Sequence, residues 1–416
     1  MRGVLARIPF PGRFVLVLAV LGALLYGLER INGRFWLNDF RVYYGAAQAL
    51  LNGEPLYGVA HGLGTGFFKY APAAALLFVP VSLLPYKAAA SLHFALVIAA
   101  FIGSALAIDR LLRQNLFPGR PAAYAPLFLT ALAAGAHLHR ELHLGNVNAM
   151  LLWLLMAGLQ RLLSGRHRSA GALLGLAVAL KPHFVVLLPW LLLRRRWSAL
   201  AMALTLLVAA VALPTALLGP SASLQLHGEW LAEMARHNAS LIHTGGTEHE
   251  NVNTIYSFLH RAVLQRIWGA PLAWEAPAIL AAIALAFGLL MLRHLRLEAP
   301  GGERSRNMAF EALLLIALVP SITLTDTEHF LFAMPLVAYL IQGLRSSERP
   351  RWLMAAGLLV LLGHGGNWGD ALGPMADVMV HYGILGAANG ALLLLAAGLH
   401  AANPSPRLNH GLRPGS

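Results

Sequence analysis

A chain of 416 residues with 58% hydrophobic and only 12% charged residues is not a soluble globular protein, because those carry about 25% charged residues. Cysteine is absent, which excludes disulfides, thiolate metal sites and a thiol nucleophile. A formal net charge of +13 would suggest nucleic acid in a soluble chain, but here it follows from membrane topology and calls for no nucleic acid partner.

The N-terminal stretch carries Arg2, Arg7 and Arg13 and runs into an apolar segment at 14–29. No small-residue cleavage site follows, so we read an uncleaved first span. Further spans are predicted at 87–111, 121–138, 147–164, 198–218, 271–294, 308–326, 329–344, 352–365 and 379–401. The expectation is an all-α polytopic membrane protein with about ten full transmembrane helices, because lipid offers no partner for free backbone N–H and C=O groups. Two stretches do not read as full spans. Residues 72–85 are short and bounded by prolines, and 170–193 are interrupted by Lys181-Pro182. We read them as a half-depth segment and a re-entrant hairpin. No soluble domain interrupts the spans, so 1–416 is read as one integral membrane domain.

Charge sets the predicted orientation. With the N-terminus in the cytoplasm, about two thirds of the 31 Lys and Arg fall in short inner turns such as Arg166 to Arg168 and Arg194 to Arg196, as the positive-inside rule requires. The tail 402–416 is then also cytoplasmic. The more elaborate loops, 30–71, 139–147, 219–270, 326–328 and 366–378, collect on the outer face, with 30–71 as the first, catalytic, loop and 219–270 as the largest. Enrichment in Ala, Leu, Gly and Arg reads as bacterial, which makes the membrane the plasma membrane and the outer side the periplasm.

Several polar constellations stand out on or near that side. Asp39 opens a stretch that reads as a helix from Asp39 to Leu51, closed by Asn52-Gly53, with Phe40, Tyr43 and Tyr44 on it. Asp39 is either a helix N-cap or a carboxylate whose aromatic surroundings raise its pKa and suit it to general-base work. Lys69, between Phe68 and Tyr70, is either an interfacial anchor or a cation for a lipid phosphate. His137, His139, Arg140, Glu141 and His143 precede Gly145-Asn146-Val147-Asn148. The His spacing is unspecific for a metal, and the two Asn carry polar groups into the bilayer. Lys181-Pro182-His183 places a cation in an apolar hairpin, at a cost of at least ~2.5 kcal/mol on insertion scales. It is either a kink with a snorkelling Lys or a site for an anionic headgroup. Thr325-Asp326-Thr327-Glu328-His329 lies between two spans, as an outer turn or as a sugar-holding group.

In order along residues 12–345, Asp39-Phe40 with Tyr43, Tyr44 and Ala47, then Gly53, Pro55 and Tyr57, then Phe68, Tyr70 and Pro72 leading to Pro80, then Gly145 and Asn148 opening a span, then Lys181-Pro182 before Arg194 to Trp197, make a pattern that resembles glycosyltransferase family 87. These are polytopic mannosyltransferases of the GT-C type that use polyprenyl-phosphate sugars. The resemblance implies a GT-C-like fold with catalytic loops on the outer face and Asp39 as the base. It implies a polyprenyl-phosphate sugar donor, mannose in the first instance, and a glycolipid or glycan acceptor. No cofactor is implied, and a divalent metal is not indicated. Lys69, Lys181 and Arg140 become candidates for the donor phosphate. Tyr43, Tyr44, Tyr70, His139, Asn146, Asn148, His183, Asp326, Glu328 and His329 become candidates for substrate. This chain departs from the family pattern at Asn146, where Gln is common, and at Glu328-His329, where paired His are common. The competing reading is a secondary transporter or lipid flippase, which also uses broken helices. Such proteins place their breaks at matching positions in two halves, whereas here the breaks cluster in the first half.

Overall fold

The computed structural model describes residues 9–63, 66–243, 254–269, 272, 274–296, 303–323, 326–345, 349–366, 368 and 372–402. Within these the chain is helical, with one isolated bridge between Ala60 and Phe67. In chain order the α-helices of five or more residues are α1 Gly12–Ile31, α2 Asn38–Asn52, α3 Pro72–Ser82, α4 Tyr86–Leu111, α5 Tyr124–Ala133, α6 Gly135–Leu144, α7 Asn148–Leu163, α8 His167–Leu180, α9 Leu187–Leu193 and α10 Trp197–Leu218. They continue as α11 Pro220–His243, α12 Ile255–Leu259, α13 Glu275–Arg296, α14 Glu303–Ile322, α15 Met334–Leu344, α16 Arg351–Gly365, α17 Pro374–His381 and α18 Ile384–Ala402. The expected tail beyond Ala402 and the loop residues Thr244 to Asn253 lie outside the described residues, as do Thr325 and Asp370.

The protein is a multi-pass membrane bundle whose helices alternate between two ends. At one end Arg13 lies over Tyr124, Arg120 meets the Gln342 carbonyl and His400 meets Asn307. At the other, Glu29 meets His143, and Asn146 meets Asp39. Five described helices are long and apolar enough to cross a bilayer, at Gly12–Ile31, Tyr86–Leu116, Trp197–Leu218, Arg304–Ile322 and Ile384–Ala402. Burial sorts them. The most apolar window of Arg304–Ile322 is 78% buried within the protein, against 11% for Gly12–Ile31 and for Trp197–Leu218. The first therefore runs through the bundle core and the other two lie at its periphery.

Several predicted spans are built differently from the uniform helices expected. The span at 121–138 is two helices, α5 and α6, joined at Ala134, and α6 carries His137, expected within the span, together with His139 through His143, expected in a loop from 139. The span at 329–344 is a 3-10 helix, Thr327–Ala333, followed by α15. Seven residues at ~2.0 Å and eleven at ~1.5 Å give about 30 Å, one bilayer core. The span at 308–326 begins earlier and ends at Ile322, and that at 379–401 is split between α17 and α18. The outer loop 219–270 contains α11, a 24-residue helix. The short segment expected at 72–85 is α3, 11 residues.

The chain turns back on itself at Lys181-Pro182. Pro182 has no N–H and its ring clashes with a continuing helix. Helix α8 therefore stops at Leu180, Lys181 is extended with φ −133° and ψ 96°, and a 3-10 turn, Pro182–Val186, leads into α9. Gly171 and Gly175, one turn apart on α8, let it close onto α10. A Cβ on Gly171 would collide with the Ala199 carbonyl, and one on Gly175 would lie 2.8 Å from the Ala203 Cα. Small residues at this spacing are how helices approach closely in lipid. The packing fixes the height of the hairpin apex and hence of Lys181.

Candidate functional site

Helix α2 is the short amphipathic helix expected from Asp39 to Leu51, and it ends on Gly53 with φ 68°. Its entry is unusual. Leu37 is buried and left-handed, φ 44° and ψ 58°, which costs about 1–2 kcal/mol for a residue with a Cβ. Leu37 is the N-cap residue and no side chain caps the helix. The N-cap reading of Asp39 is thereby corrected. Asp39 is the second helical residue, and its carboxylate turns across to the turn between α6 and α7.

That turn comes close because Gly145 has no side chain. Its φ is 71°, and a Cβ there would lie 2.9 Å from the Cβ atoms of both Leu37 and Phe40. His93 of α4 holds the turn from the other side, donating through Nε2 to the Gly145 carbonyl at 2.8 Å and stacking on Phe40 with ring centroids 4.3 Å apart. Asn146 then reaches Asp39, its Nδ2 donating to Oδ2 at 2.9 Å. The amide orientation is determined, since its Oδ1 accepts from the Val147 N–H at 2.8 Å and from the Tyr43 hydroxyl at 3.2 Å. Only the NH₂ end remains for a carboxylate. Asp39 Oδ1 has no hydrogen-bond partner among the described residues, and Asp39 lines a cavity.

The cavity is about 570 Å³, lined by Asp39, Tyr43, Lys69, Tyr70, Asn146, Lys181, His183, Asp326, Glu328 and His329, among others. These are ten of the predicted site residues, drawn from α2, the 66–71 strand-like segment, the α6–α7 turn, the hairpin apex and the start of the 3-10 helix. Burial pushes the Asp39 carboxyl from 3.8 up to about 7. Glu328 and Asp326 raise it further, and Lys181 and Lys69 oppose them. A carboxylate with that proton affinity suits general-base work near neutral pH. Lys69 is exposed, with no ion-pair partner among the described residues for its ammonium, whereas Lys181 is buried and donates to Asn148 Oδ1.

Four predicted residues stand elsewhere. Arg140 does not line the cavity, because its Nε donates to Glu328 Oε2 at 2.7 Å. It neutralises a wall residue and is not a free phosphate cation. Asn148 is fully buried behind Lys181. Tyr44 points to the opposite face of α2 and donates to the Leu84 carbonyl at 2.8 Å. His139 packs toward His143 and Trp368. The α6 histidines diverge. His137 turns to His364, with 3.3 Å between Nε2 and Nδ1, and His143 turns to Glu29 at 3.4 Å. Among the described residues no group of three His, Asp or Glu gathers where a metal would sit.

Sequence reasoning missed one wall. Trp230, Leu231, Met234 and His237 of α11 close the cavity, and Trp230 Nε1 donates to the Lys69 carbonyl at 3.2 Å. These four residues recur at i, i+1, i+4 and i+7, a helical stripe in a segment that reads as loop because its other residues are polar. Glu141 was also missed as a partner of the site. It is fully buried and bonds Asn148 and the Ala149 N–H, both at 2.9 Å.

Comparison with known proteins agrees with this architecture. The profile of glycosyltransferase family 87 matches residues 67–327. The chain is 27% identical over 368 residues to a polyprenol-phosphate-mannose-dependent alpha-(1-2)-phosphatidylinositol pentamannoside mannosyltransferase of Mycolicibacterium smegmatis, covering 87% of this chain and 83% of that one. It is 26% identical over 360 residues to the protein of the same description from Mycobacterium tuberculosis, covering 85% and 77%. An alpha-(1->3)-arabinofuranosyltransferase of Mycobacterium tuberculosis is 29% identical over 180 residues, 42% of this chain and 39% of that one. No solved structure matches. With a profile match over more than half its length and a polar cavity set into a multi-pass helical bundle, the chain belongs to glycosyltransferase family 87.

Proposed function

We propose that this protein transfers a sugar, mannose in the first instance, from a polyprenyl-phosphate donor to a hydroxyl of a glycolipid or glycan. The reaction takes place at the outer face of the bacterial plasma membrane, with the N-terminus cytoplasmic. The observation that carries this reading is Asp39, held by Asn146 through Oδ2 and lining the cavity that Lys69 and Lys181 also line. The acceptor O–H gives its proton to Asp39 as its oxygen attacks the anomeric carbon. The bond from that carbon to the phosphate oxygen breaks, and the lipid phosphate leaves with the electron pair. The two ammonium groups stabilise the charge that develops there. Attack opposite the leaving group inverts the anomeric centre. Asp326, Glu328 and His183 line the same space and are placed to hydrogen-bond sugar hydroxyls. The orientation rests on the Arg-rich turns at the end of the bundle remote from the cavity.

The relatives favour a polyprenyl-phosphate donor, and their names divide the sugar between mannose and arabinofuranose. Purified protein in nanodiscs is to be incubated with labelled polyprenyl-phosphate-mannose, or with the arabinofuranose donor, together with bacterial lipid extract. Labelled glycolipid from the mannose donor, with the inverted linkage, is the expected product. Product from the arabinofuranose donor alone would reassign the sugar, and movement of lipid across the bilayer with no covalent product would support the flippase reading.

A further inference from the structure

The proposed chemistry uses Lys181 and leaves unexplained a fully buried carboxylate one residue beyond it. Glu141 does not line the cavity. Its Oε1 accepts the Ala149 N–H at 2.9 Å and its Oε2 accepts Asn148 Nδ2 at 2.9 Å. Asn148 Oδ1 in turn accepts the Lys181 ammonium. Glu141 and Asn148 are 0% exposed and Lys181 7%. The three side chains form a wire from carboxylate through amide to ammonium, with one polarity. A carboxylate accepts only, so Asn148 must turn its NH₂ to Glu141 and its oxygen to Lys181. The wire is neutral overall, which a dry, low-dielectric location requires of a buried cation. The backbone carbonyl of Glu141 also accepts from Gly145 and Asn146, at 2.9 and 3.1 Å. One residue thus anchors the turn that holds Asp39 and the chain of bonds that holds Lys181.

We propose that Glu141 is a positioning residue: acting through Asn148, it fixes the place of the Lys181 ammonium in the cavity and keeps it charged for the donor phosphate. The inference rests on the reading of Lys181 given above. A purely structural alternative exists, since Glu141 also caps the first turn of α7. The polarity of the wire separates the two. In Glu141→Gln the carboxamide oxygen still accepts from Ala149, but its NH₂ meets the NH₂ of Asn148. The amide must reverse and present a donor to the ammonium. In the double variant Glu141→Gln/Asn148→Asp the carboxamide donates to the new carboxylate, which accepts from Lys181. The bond between the two residues now runs the other way, but each contact again pairs a donor with an acceptor and the net charge is restored.

Two readouts test this in the full-length protein in nanodiscs. The first is the donor KM. Glu141→Gln is expected to raise it about 10- to 100-fold, and the double variant to return it to within about threefold of the parent. The second does not depend on turnover. The chain has three lysines, Lys69, Lys87 and Lys181, and mass mapping after pulse labelling with an amine-reactive reagent reports each separately. The charged groups facing Lys181 are Glu141, Asp39, Glu328 and Asp326 as acids, with His183 and His329 beside it. Across pH 6–9, Glu141→Gln is expected to speed labelling of Lys181 at least tenfold, with the double variant reversing the change and Lys69 and Lys87 unaltered as internal controls for folding. Parent-like labelling of Lys181 in Glu141→Gln would overturn the proposal. So would a double variant as impaired as the single one, because a purely capping role at Ala149 is not rescued by Asn148→Asp. If labelling responds as expected while no variant, nor Lys181→Met, changes donor KM, the wire stands and the phosphate role of Lys181 falls.

Discussion

Replacing Asp39 by Asn tests the proposed base with little disturbance of its surroundings. The new side chain is isosteric, and its oxygen still accepts from Asn146 Nδ2, the 2.9 Å contact of the parent. What is lost is the ability to take a proton, and general-base catalysis is worth ~10²- to 10⁴-fold in rate. The parent enzyme should gain activity with rising pH through about 7, the value to which burial first, and then Glu328 and Asp326, push the carboxyl. Initial rates of labelled-sugar transfer between pH 5.5 and 9 give both numbers. The same shift fixes a stability effect of opposite sign. The folded-state value lies above the unfolded 3.8, so the protonated form's advantage is complete below 3.8 and is lost as pH rises through about 7. About three pKa units at 1.36 kcal/mol each give a penalty of ~4 kcal/mol to the folded protein at pH 8. Asp39→Asn removes it, so the inactive variant should unfold at higher temperature than the parent at pH 8 and at nearly the same temperature at pH 4. A variant that keeps more than a tenth of parent activity, or keeps the limb near pH 7 in its residual rate, would refute Asp39 as the base.

Removing the Asn146 amide as Asn146→Leu should lower kcat by ~10- to 100-fold, the worth of a hydrogen bond to a charged group, measured under saturating donor. Gly145→Ala should lower both the unfolding temperature and activity, because the methyl meets Leu37 and Phe40 at 2.9 Å and the φ of 71° disfavours any side chain. Lys69→Met should raise donor KM by only a few fold, since the ammonium is exposed and solvent screens it. At the other end of the bundle, Arg194 is paired with Glu311 and both are buried. Glu311→Gln alone should destabilise by ~3–5 kcal/mol, and the apolar pair Arg194→Met/Glu311→Leu should restore much of that, read as unfolding in detergent.

Much of this arrangement is legible in the residues. Gly53 and Gly145 mark left-handed positions, Pro182 stops a helix, and Lys181 in an apolar run has to face something polar. Each is a local signal with one physical outcome. The pairings are not local. That Asn146 meets Asp39, 107 residues away in sequence, depends on the absence of a Cβ at Gly145. That Arg140 is held by Glu328 depends on α6 lying against the 3-10 helix. Arg140 therefore reads as a free cation in the sequence although it is a partner in the fold. Tyr44 and Tyr43 are neighbours with the same chemistry, and only the rotation of α2 decides that one faces the cavity and the other the Leu84 carbonyl. The continuous spans expected at 121–138 and 329–344 fail for a related reason. Hydropathy reports how apolar a segment is and carries no information on the geometry of its backbone.

The 3-10 helix Thr327–Ala333 lengthens the span that it opens. Each residue in 3-10 rather than α geometry adds ~0.5 Å of rise, so the seven residues together add about 3.5 Å. The same geometry alters the turn per residue from ~100° to ~120° and rotates whatever the segment carries at its free end. That end carries Asp326 and Glu328. Phe332 meets Phe184 of the hairpin's own 3-10 turn edge to face, 4.7 Å between centroids. The Lys181 ammonium lies 5.6 Å from the centroid of the same Phe332 ring, so the segment that carries the acidic wall and the lysine-bearing apex share one aromatic side chain as their common support.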